Sequence, residues 1–592
     1  MKLVIQNRML FASMLVFCLN HTSAQVNNKK LRKLFERYHQ ENLRFHPLDA
    51  TFSGSHLYDD QLENDGSANY IAATASFNQK YLRLLSDFNR SKLNTADRIS
   101  YDVMKELLEV DVEKRKLHLH YIPINQFSSV PLLFGQLGSG NSAQPFKTVQ
   151  DYENWIKRIG DFRTWTDTAI ANMKKGALIG MVLPKTLVLK MIPQMEELAL
   201  NDPEKNIFFS PLKNIPNTFS PSEEQHVVKA LKHAIASELL PAYDRMAGYL
   251  KNDYMQHASD VSGLSGIPGG LDIYNWYIRF YTTTRKTPEE IYQTGLAEVN
   301  RIQEKMTLIM TQVGFNGSLG AFYEYLKKDP KFMPFKSPEE VLSAYRNIYE
   351  KVKPNLPKLF SVYPKNRFEI KRVESFREAS QNGPSYTLGS IDGSRPGTFY
   401  VPVPDATKIN VTNLGLEATF IHEAIPGHHF QISLQQENTA LPSFRRQISF
   451  SAFTEGWALY IESLGKQLGC YTDPYQEMGA LNNEILRAIR LVVDVGIHTG
   501  KMSREQAIAY MLSNQSISQQ DAVNAAERYM ALPGQALSYK TGELEIQRIK
   551  EKLKVKLGKR FNIIRFHDAL LSQGDMPLTV LDRYMEDWAS GQ

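Results

Sequence analysis

Cysteine is scarce in this sequence, which has only Cys18 and Cys470 among 592 residues. Cys18 lies in an N-terminal segment with the features of an export signal, so a single cysteine remains after cleavage. An intramolecular disulfide is therefore excluded. The fold must be stabilised by its core, and 42% hydrophobic residues over this length are enough for a large one.

Long apolar runs are also missing after the first 24 residues. Met9–Leu19 is apolar, follows two basic residues and precedes a short stretch of small ones. This order is typical of a signal peptide over residues 1–24, cleaved after Ala24. The run is too short to cross a bilayer, which takes about 20 apolar residues. We expect a secreted or periplasmic protein with no integral membrane segment. Lipid anchoring at Cys18 is the less favoured alternative, because the bulky Phe17 precedes it.

The sequence has no block of like charge and no Gly/Ser-rich linker. Its formal net charge is +6, and loss of Lys2 and Arg8 with the signal peptide lowers it by two, to +4. Basic residues are interspersed with acidic ones, so nothing indicates a nucleic-acid partner. Because no linker or repeat divides the chain, we expect one domain over 25–592. Its N-terminal part, about 25–385, should be helical, and the part from about 386 to 592 should contain a strand and the polar motifs.

Apolar residues at helical spacing recur along the chain, as at Leu31, Leu34, Phe35 and Tyr38. Helix starts are marked by a hydroxyl residue followed three positions later by Glu or Gln, at Ser220, Thr287, Ser337 and Ser503. The best strand signal is Thr398–Val403, and the proline within it predicts an edge strand that could pair with an extended peptide. An ordinary hairpin strand is an equally good interpretation. The pattern predicts a mainly α fold with many helices and a small β-sheet.

The densest group of metal-binding side chains lies in His422–His429, which reads His-Glu-Ala-Ile-Pro-Gly-His-His. A catalytic zinc takes three protein ligands and keeps one position open. In the HExxH pattern, two histidines one helical turn apart bind the metal, and the glutamate is the general base. Here Pro426 stands where the second histidine belongs, and on a straight helix His428 would lie about 9 Å along the axis from His422. A two-residue bulge would bring both imidazoles to one metal, with His429 as the alternative ligand.

Further residues complete a candidate site. Glu455 leads into an apolar helix, where a carboxylate needs a partner, so it is the expected third ligand; a surface carboxylate is the alternative. Tyr539 is the candidate donor to the oxyanion of a tetrahedral intermediate. The alternative is a tyrosine that only packs in the core. Arg490 could hold a substrate carboxylate, but a structural pair with Asp494 one turn later is the favoured interpretation.

These segments resemble a family of bacterial secreted proteins and lipoproteins classed as a domain of unknown function. Its members carry HExxPGHH, EGWA(L/E)Y and PGQAxxYxxG motifs. The matching segments begin at His422 (HEAIPGHHFQ), at Glu455 (EGWALY) and at Pro533 (PGQALSYKTG), and the resemblance extends from about residue 30 to the C-terminus. The family is similar to the gluzincins, and distantly to angiotensin-converting enzyme, thimet oligopeptidase and carboxypeptidase Taq. The resemblance implies a large helical gluzincin-like fold with a deep active-site cleft. Aligning Gly-His of the HExGH motif in these relatives with Gly427 and His428 favours His428 as ligand.

The sequence therefore predicts a secreted zinc peptidase that acts on short or unfolded peptides. One Zn²⁺ per chain is held by His422, His428 and Glu455. Glu423 takes a proton from the attacking water and delivers it to the leaving amine, and Tyr539 helps to stabilise the oxyanion. Two alternatives remain open, namely a zinc-dependent hydrolase of another amide bond and a non-catalytic peptide-binding relative.

Overall fold

The computed structural model describes residues 28–373, 378, 383–390, 393 and 395–592. The expected signal peptide at residues 1–24 lies outside these residues. Within them, helices predominate and three short strands form a single sheet, which confirms the expectation of a mainly α fold with a small sheet. Of the helices described, none combines the length and the apolar character that a membrane span requires.

Fourteen described α-helices precede the sheet. They are α1 Lys29–Phe45, α2 Pro47–Phe52, α3 Ala68–Ser86, α4 Thr95–Lys114, α5 Val130–Gly138, α6 Val149–Leu178, α7 Lys185–Leu198, α8 Ser210–Lys213, α9 Pro221–Ala234, α10 Leu240–Asn252, α11 Gly270–Thr282, α12 Pro288–Gln312, α13 Leu319–Lys328 and α14 Pro338–Val352. The strands are β1 Phe368–Arg372, β2 Ser385–Thr387 and β3 Gly397–Val401.

The helices after the sheet contain the polar motifs. They are α15 Val411–Leu414, α16 Leu416–Glu423, α17 His428–Glu437, α18 Ser443–Gln447, α19 Ser451–Glu462, α20 Pro474–His498, α21 Arg504–Asn514, α22 Gln519–Ala531, α23 Ser538–Leu557, α24 Ile563–Ser572 and α25 Leu578–Ser590. Two long helix pairs organise this part. In one pair α12 packs along α20, and in the other α19 packs along α23.

The predicted helix starts are well supported by the cap geometry. Reciprocal capping boxes form at Ser220, Thr287 and Ser503, where the hydroxyl accepts from the third helical N–H and that residue's side chain accepts from the cap. At α14, Ser337 accepts from the Glu340 N–H. The Glu340 carboxylate instead accepts from the Lys336 N–H at 2.8 Å, so the box is incomplete there.

The predicted N-terminal stripe packs against the C-terminal half of the chain. All four of its residues are buried in one core cluster with side chains of α19, α24, α25 and the sheet. Phe35 contacts Phe444 with ring centroids 5.4 Å apart. The first helix and the helices that carry the polar motifs therefore share a core. A second cluster joins α6, α7, α9 and α10.

The strand predicted from Thr398–Val403 is the central strand of the sheet. β3 pairs in parallel with β1 and antiparallel with β2. The prediction of an edge strand is wrong, because Pro402 follows the last paired residue and removes no hydrogen bond from the ladder. Since both sides of β3 are paired, it has no free edge for a peptide. The hairpin alternative fits, as β2 and β3 are consecutive and antiparallel.

Candidate metal centre

The HExxPGHH segment lies at a break between two helices. α16 ends at Glu423 and α17 begins at His428, and the residues between them contain a cis Ile425–Pro426 peptide bond. The proline has no N–H to donate to the preceding turn. A Cβ on Gly427 would lie 1.9 Å from the carbonyl oxygen of His422, so only glycine allows this close approach. The sequence predicts a two-residue bulge within one helix. The structure instead shows a complete interruption between two helices.

The break brings two imidazoles together. The ring centroids of His422 and His428 are 4.7 Å apart, and the ring planes are nearly perpendicular. Both Nε2 atoms face the same oxygen of Glu455, with Nε2···Oε2 distances of 3.4 and 3.5 Å. Ligand atoms at the corners of a tetrahedral zinc site, with bonds of about 2.0–2.1 Å, are about 3.3–3.4 Å apart. Both distances from the carboxylate oxygen to an imidazole nitrogen are thus those expected between zinc ligands.

The oxygen between the imidazoles lacks a hydrogen bond. Oε2 of Glu455 is buried and has no partner that meets hydrogen-bond geometry. A buried carboxylate oxygen without a donor costs free energy, and a bound cation would satisfy it. Two imidazoles and one carboxylate are also a donor set found in catalytic zinc sites. The chemistry and spacing of these residues therefore fit a zinc ion.

Electrostatics at this point favour positive charge. Burial acts to raise the pKa of Glu455, but the imidazoles of His422 and His428 hold that pKa well below its ordinary value. Burial likewise acts to lower the pKa of His422, yet its contacts with Glu455 and Glu462 raise that pKa to about 9. The same field that favours a proton here favours a metal cation.

A second carboxylate orients His422. Nδ1 of His422 lies 2.7 Å from Oε1 of Glu462, a buried residue at the end of α19. Carboxylates in this position fix the orientation of a metal-binding imidazole and strengthen it as a ligand. Glu462 is not among the residues predicted from the sequence. Its signal was the spacing of seven residues after Glu455, which is two helical turns along one face.

Glu423 and His429 occupy different surroundings. Glu423 is partly exposed and groups with the imidazoles of His422 and His428, with potential ligand atoms of the three residues within 4.8 Å of one another. His429 lies against the sheet, with Nδ1 3.1 Å from the Tyr386 hydroxyl. Burial lowers the pKa of His429 to about 4. The structure thus brings His428, and not His429, next to His422.

Tyr539 lies on α23, which packs closely against α19, the helix that carries Glu455. A Cβ on Gly542 would lie 1.9 Å from the carbonyl oxygen of Ala452, so the two helix backbones touch. Tyr539 lies one turn before Gly542 on α23, and Glu455 lies about one turn after Ala452 on α19. Burial raises the pKa of the Tyr539 hydroxyl, and the charge of Glu455 raises it further. The hydroxyl therefore stays protonated and able to donate.

The structural Arg490–Asp494 pair expected from the sequence is wrong. Asp494 is fully buried and accepts hydrogen bonds from the Tyr274 hydroxyl at 2.6 Å and the Gly534 N–H at 3.1 Å. These donors come from other parts of the chain, so a spacing of one helical turn could not reveal them. The guanidinium of Arg490 instead lies over the ring of Tyr539, 4.4 Å from its centroid.

Comparisons with known proteins give a family and a fold. Residues 47–585 match the family described as "Bacterial protein of unknown function (DUF885)". The chain is similar to a crystal structure of a candidate lipoprotein from Colwellia psychrerythraea, with a TM-score of 0.86 and 27% identity, over 95% of this chain and 99% of that one. A candidate lipoprotein of unknown function from Shewanella oneidensis is 19% identical, with a TM-score of 0.76 over 94% and 99% of the chains. No curated protein matches the sequence.

Proposed function

The chain belongs to the DUF885 family of bacterial proteins, whose description assigns no activity, and we propose that it is a secreted zinc-dependent peptidase. One observation supports this above all, namely that the Nε2 atoms of His422 and His428 both face Oε2 of Glu455 at distances expected between zinc ligands. Two histidines followed by a distant glutamate are also the ligand pattern of the gluzincins, to which we assign the site. Its substrates would be short or unfolded peptides.

The proposed mechanism divides the chemistry between the metal and the chain. His422, His428 and Glu455 would hold one zinc ion. When bound, that ion supplies Lewis acidity, which polarises a carbonyl group and makes water acidic enough to lose a proton near neutral pH. Glu462 keeps the His422 ring in one orientation through the bond to Nδ1.

The remaining steps fall to Glu423 and Tyr539. Glu423 lies beside both imidazoles and is partly exposed, so it can accept the proton of the attacking water and deliver it to the leaving amine. The Tyr539 hydroxyl donates to the carbonyl oxygen as negative charge develops there. Its raised pKa keeps the proton on the hydroxyl.

Export is part of the proposal. The first 24 residues have the order of a signal peptide, and the two solved relatives are described as candidate lipoproteins. We favour cleavage after Ala24, with lipid attachment at Cys18 as the alternative. Mass spectrometry of the mature N-terminus from the native host distinguishes the two.

Digestion of a mixed peptide library tests the activity. We expect about one zinc per purified chain and cleavage of peptides that a chelator abolishes and added zinc restores. If the protein cleaves only other amide bonds, its substrate is not a peptide but another amide. Metal-free protein without turnover would instead leave only a binding role.

The substitution Glu462→Gln should weaken zinc binding by about 10- to 100-fold. Glutamine keeps the shape of the side chain but loses the charge that orients and strengthens His422. A competitive zinc titration with a fluorescent chelator measures the change. The matched control is Glu417→Gln, because Glu417 is also a buried carboxylate but it binds Lys351 and the Tyr471 N–H. Equal affinity in the two variants would remove Glu462 from the site.

The substitution Tyr539→Phe should lower kcat by about 10²-fold with little effect on KM, because only the donor to the developing oxyanion is lost. Steady-state kinetics on a fluorogenic peptide measures both constants. Tyr243→Phe is the control, since Tyr243 is a buried tyrosine that donates to the carbonyl of Pro131 in the other core cluster. A Tyr539→Phe enzyme as fast as the control would make Tyr539 a packing residue.

A further inference from the structure

Two arginines beside Tyr539 have no carboxylate partner in the part of the chain that the structure describes. They are Arg490 on α20 and Arg528 on α22, and neither forms a salt bridge with a described acidic residue. Some neighbouring cations on adjoining helices are paired with a carboxylate. Arg504 contacts Glu527 at 2.7 Å, for example, although Glu527 directly precedes Arg528 in the chain.

Buried nitrogen atoms of both guanidinium groups lack hydrogen bonds. These atoms are Nε and Nη1 of Arg490 and Nε of Arg528. One nitrogen of Arg528, Nη2, donates to Oε1 of Gln535 at a long 3.3 Å. Arg490 also interacts electrostatically with Tyr529 and Glu455. A buried guanidinium nitrogen without an acceptor nevertheless costs free energy, so such atoms are usually satisfied by a bound partner.

Each of the two guanidinium groups lies over the face of an aromatic ring. Arg490 lies over the ring of Tyr539 at 4.4 Å, and Arg528 lies over the ring of Phe127 at 5.4 Å. A guanidinium held over an aromatic ring can keep N–H groups free for a further partner. Those N–H groups form the planar fork that matches a carboxylate.

The two arginines contact neighbouring turns of the same stretch of chain. Arg490 lies over the ring of Tyr539, and Arg528 donates to Gln535, four residues earlier. Burial and Glu455 raise the pKa of the Tyr539 hydroxyl, whereas Arg490 and Arg528 both act to lower it. These electrostatic effects agree with the contacts of Arg490 with Tyr539 and of Arg528 with Gln535. Because Tyr539 is the proposed donor to the oxyanion, a group bound beside its ring would lie near the bond to be cleaved.

We propose that Arg490 and Arg528 form a subsite for a carboxylate of the substrate. The inference rests on the proposed peptidase function and narrows its substrates to peptides with an anionic group near the scissile bond. A free C-terminal carboxylate and an aspartate or glutamate side chain offer the same chemistry. The first would make the enzyme act near the C-terminus of its substrates, and the second would make it select acidic sequences.

Four matched peptides separate these sources. One pair differs only in a free or an amidated C-terminus, and the other pair differs only in Glu or Gln next to the cleaved bond. For the wild type, kcat/KM should be about 10- to 100-fold higher for the carboxylate member of at least one pair. The pair that shows the preference identifies the source. Equal values within both pairs would overturn the subsite while leaving the peptidase intact.

Variants then connect the preference to the two arginines. Arg490→Gln and Arg528→Gln should each bring the ratio within the selective pair towards one. Arg245→Gln, which removes an exposed arginine paired with Asp167, should leave the ratio unchanged. Arg490→Lys and Arg528→Lys keep the charge but lose the planar fork, so they serve where a glutamine variant does not fold. A ratio that survives in all folded variants of both positions would overturn the assignment.

A binding measurement decides the question even without turnover. Calorimetric titration of the zinc-loaded Glu423→Gln protein with the same four peptides reports affinity independently of catalysis. Tighter binding of a carboxylate member, lost in the Glu423→Gln/Arg490→Gln double variant, supports the subsite even if the wild type cleaves no peptide. Equal affinity within both pairs, or no binding at all, refutes it.

Discussion

Glu423→Gln should lower kcat by about 10³-fold while leaving the zinc content and the fold unchanged, because proton transfer by a positioned side chain contributes roughly 10²–10⁴-fold. Glutamine has the shape of glutamate but cannot take a proton from water. The residue ends α16 directly after His422, so its position is set by the same helix that presents the first ligand. Metal analysis and steady-state kinetics on the same preparation measure both properties.

The control for Glu423 is a carboxylate that the site does not use. Glu505 is exposed at the start of α21 and contacts Arg504, so Glu505→Gln should retain normal kcat. If the Glu423→Gln protein holds zinc and turns over at the same rate as this control, another group must be the base. Loss of zinc in Glu423→Gln would instead indicate that Glu423 is itself a ligand.

Local signals predicted the helices well, because they depend on neighbouring residues only. The hydroxyl residues at Ser220, Thr287 and Ser503 form capping boxes that close within four residues. The stripe from Leu31 to Tyr38 requires only that one helix face be buried. Neither feature depends on where the rest of the chain lies, so both could be inferred without the fold.

Pairing across the sheet could not be predicted in the same way. The proline after Val401 suggested an edge, but the register of β3 ends one residue before it. Whether a proline interrupts a ladder depends on where the ladder stops, which the sequence alone does not reveal. The same limit applies to Asp494, whose partners Tyr274 and Gly534 lie 220 and 40 residues away.

The candidate site was predicted in part because its residues are chemically unusual. Three histidines and a glutamate within eight residues exceed what a core helix needs, and a distant Glu455 completed the donor set. Glu462 escaped prediction because its role depends on the orientation of an imidazole, which the sequence does not specify. Its burial and its 2.7 Å contact with His422 become visible only in the fold.

The choice between two adjacent histidines provides the sharpest test of the site. His428→Ala should weaken zinc binding by roughly 10³-fold, since one of three protein ligands accounts for about a third of a binding free energy near 10–16 kcal/mol. His429→Ala should bind zinc nearly as the wild type does, because its ring contacts Tyr386 and the sheet while the His428 Nε2 faces Glu455 at 3.5 Å. The two residues are neighbours in one helix turn, so each variant controls for the other's effect on folding. Competitive zinc titration measures the affinities, and thermal melting of both apo proteins checks that they fold. If His429→Ala loses affinity for zinc and His428→Ala keeps it, His429 and not His428 is the second metal ligand.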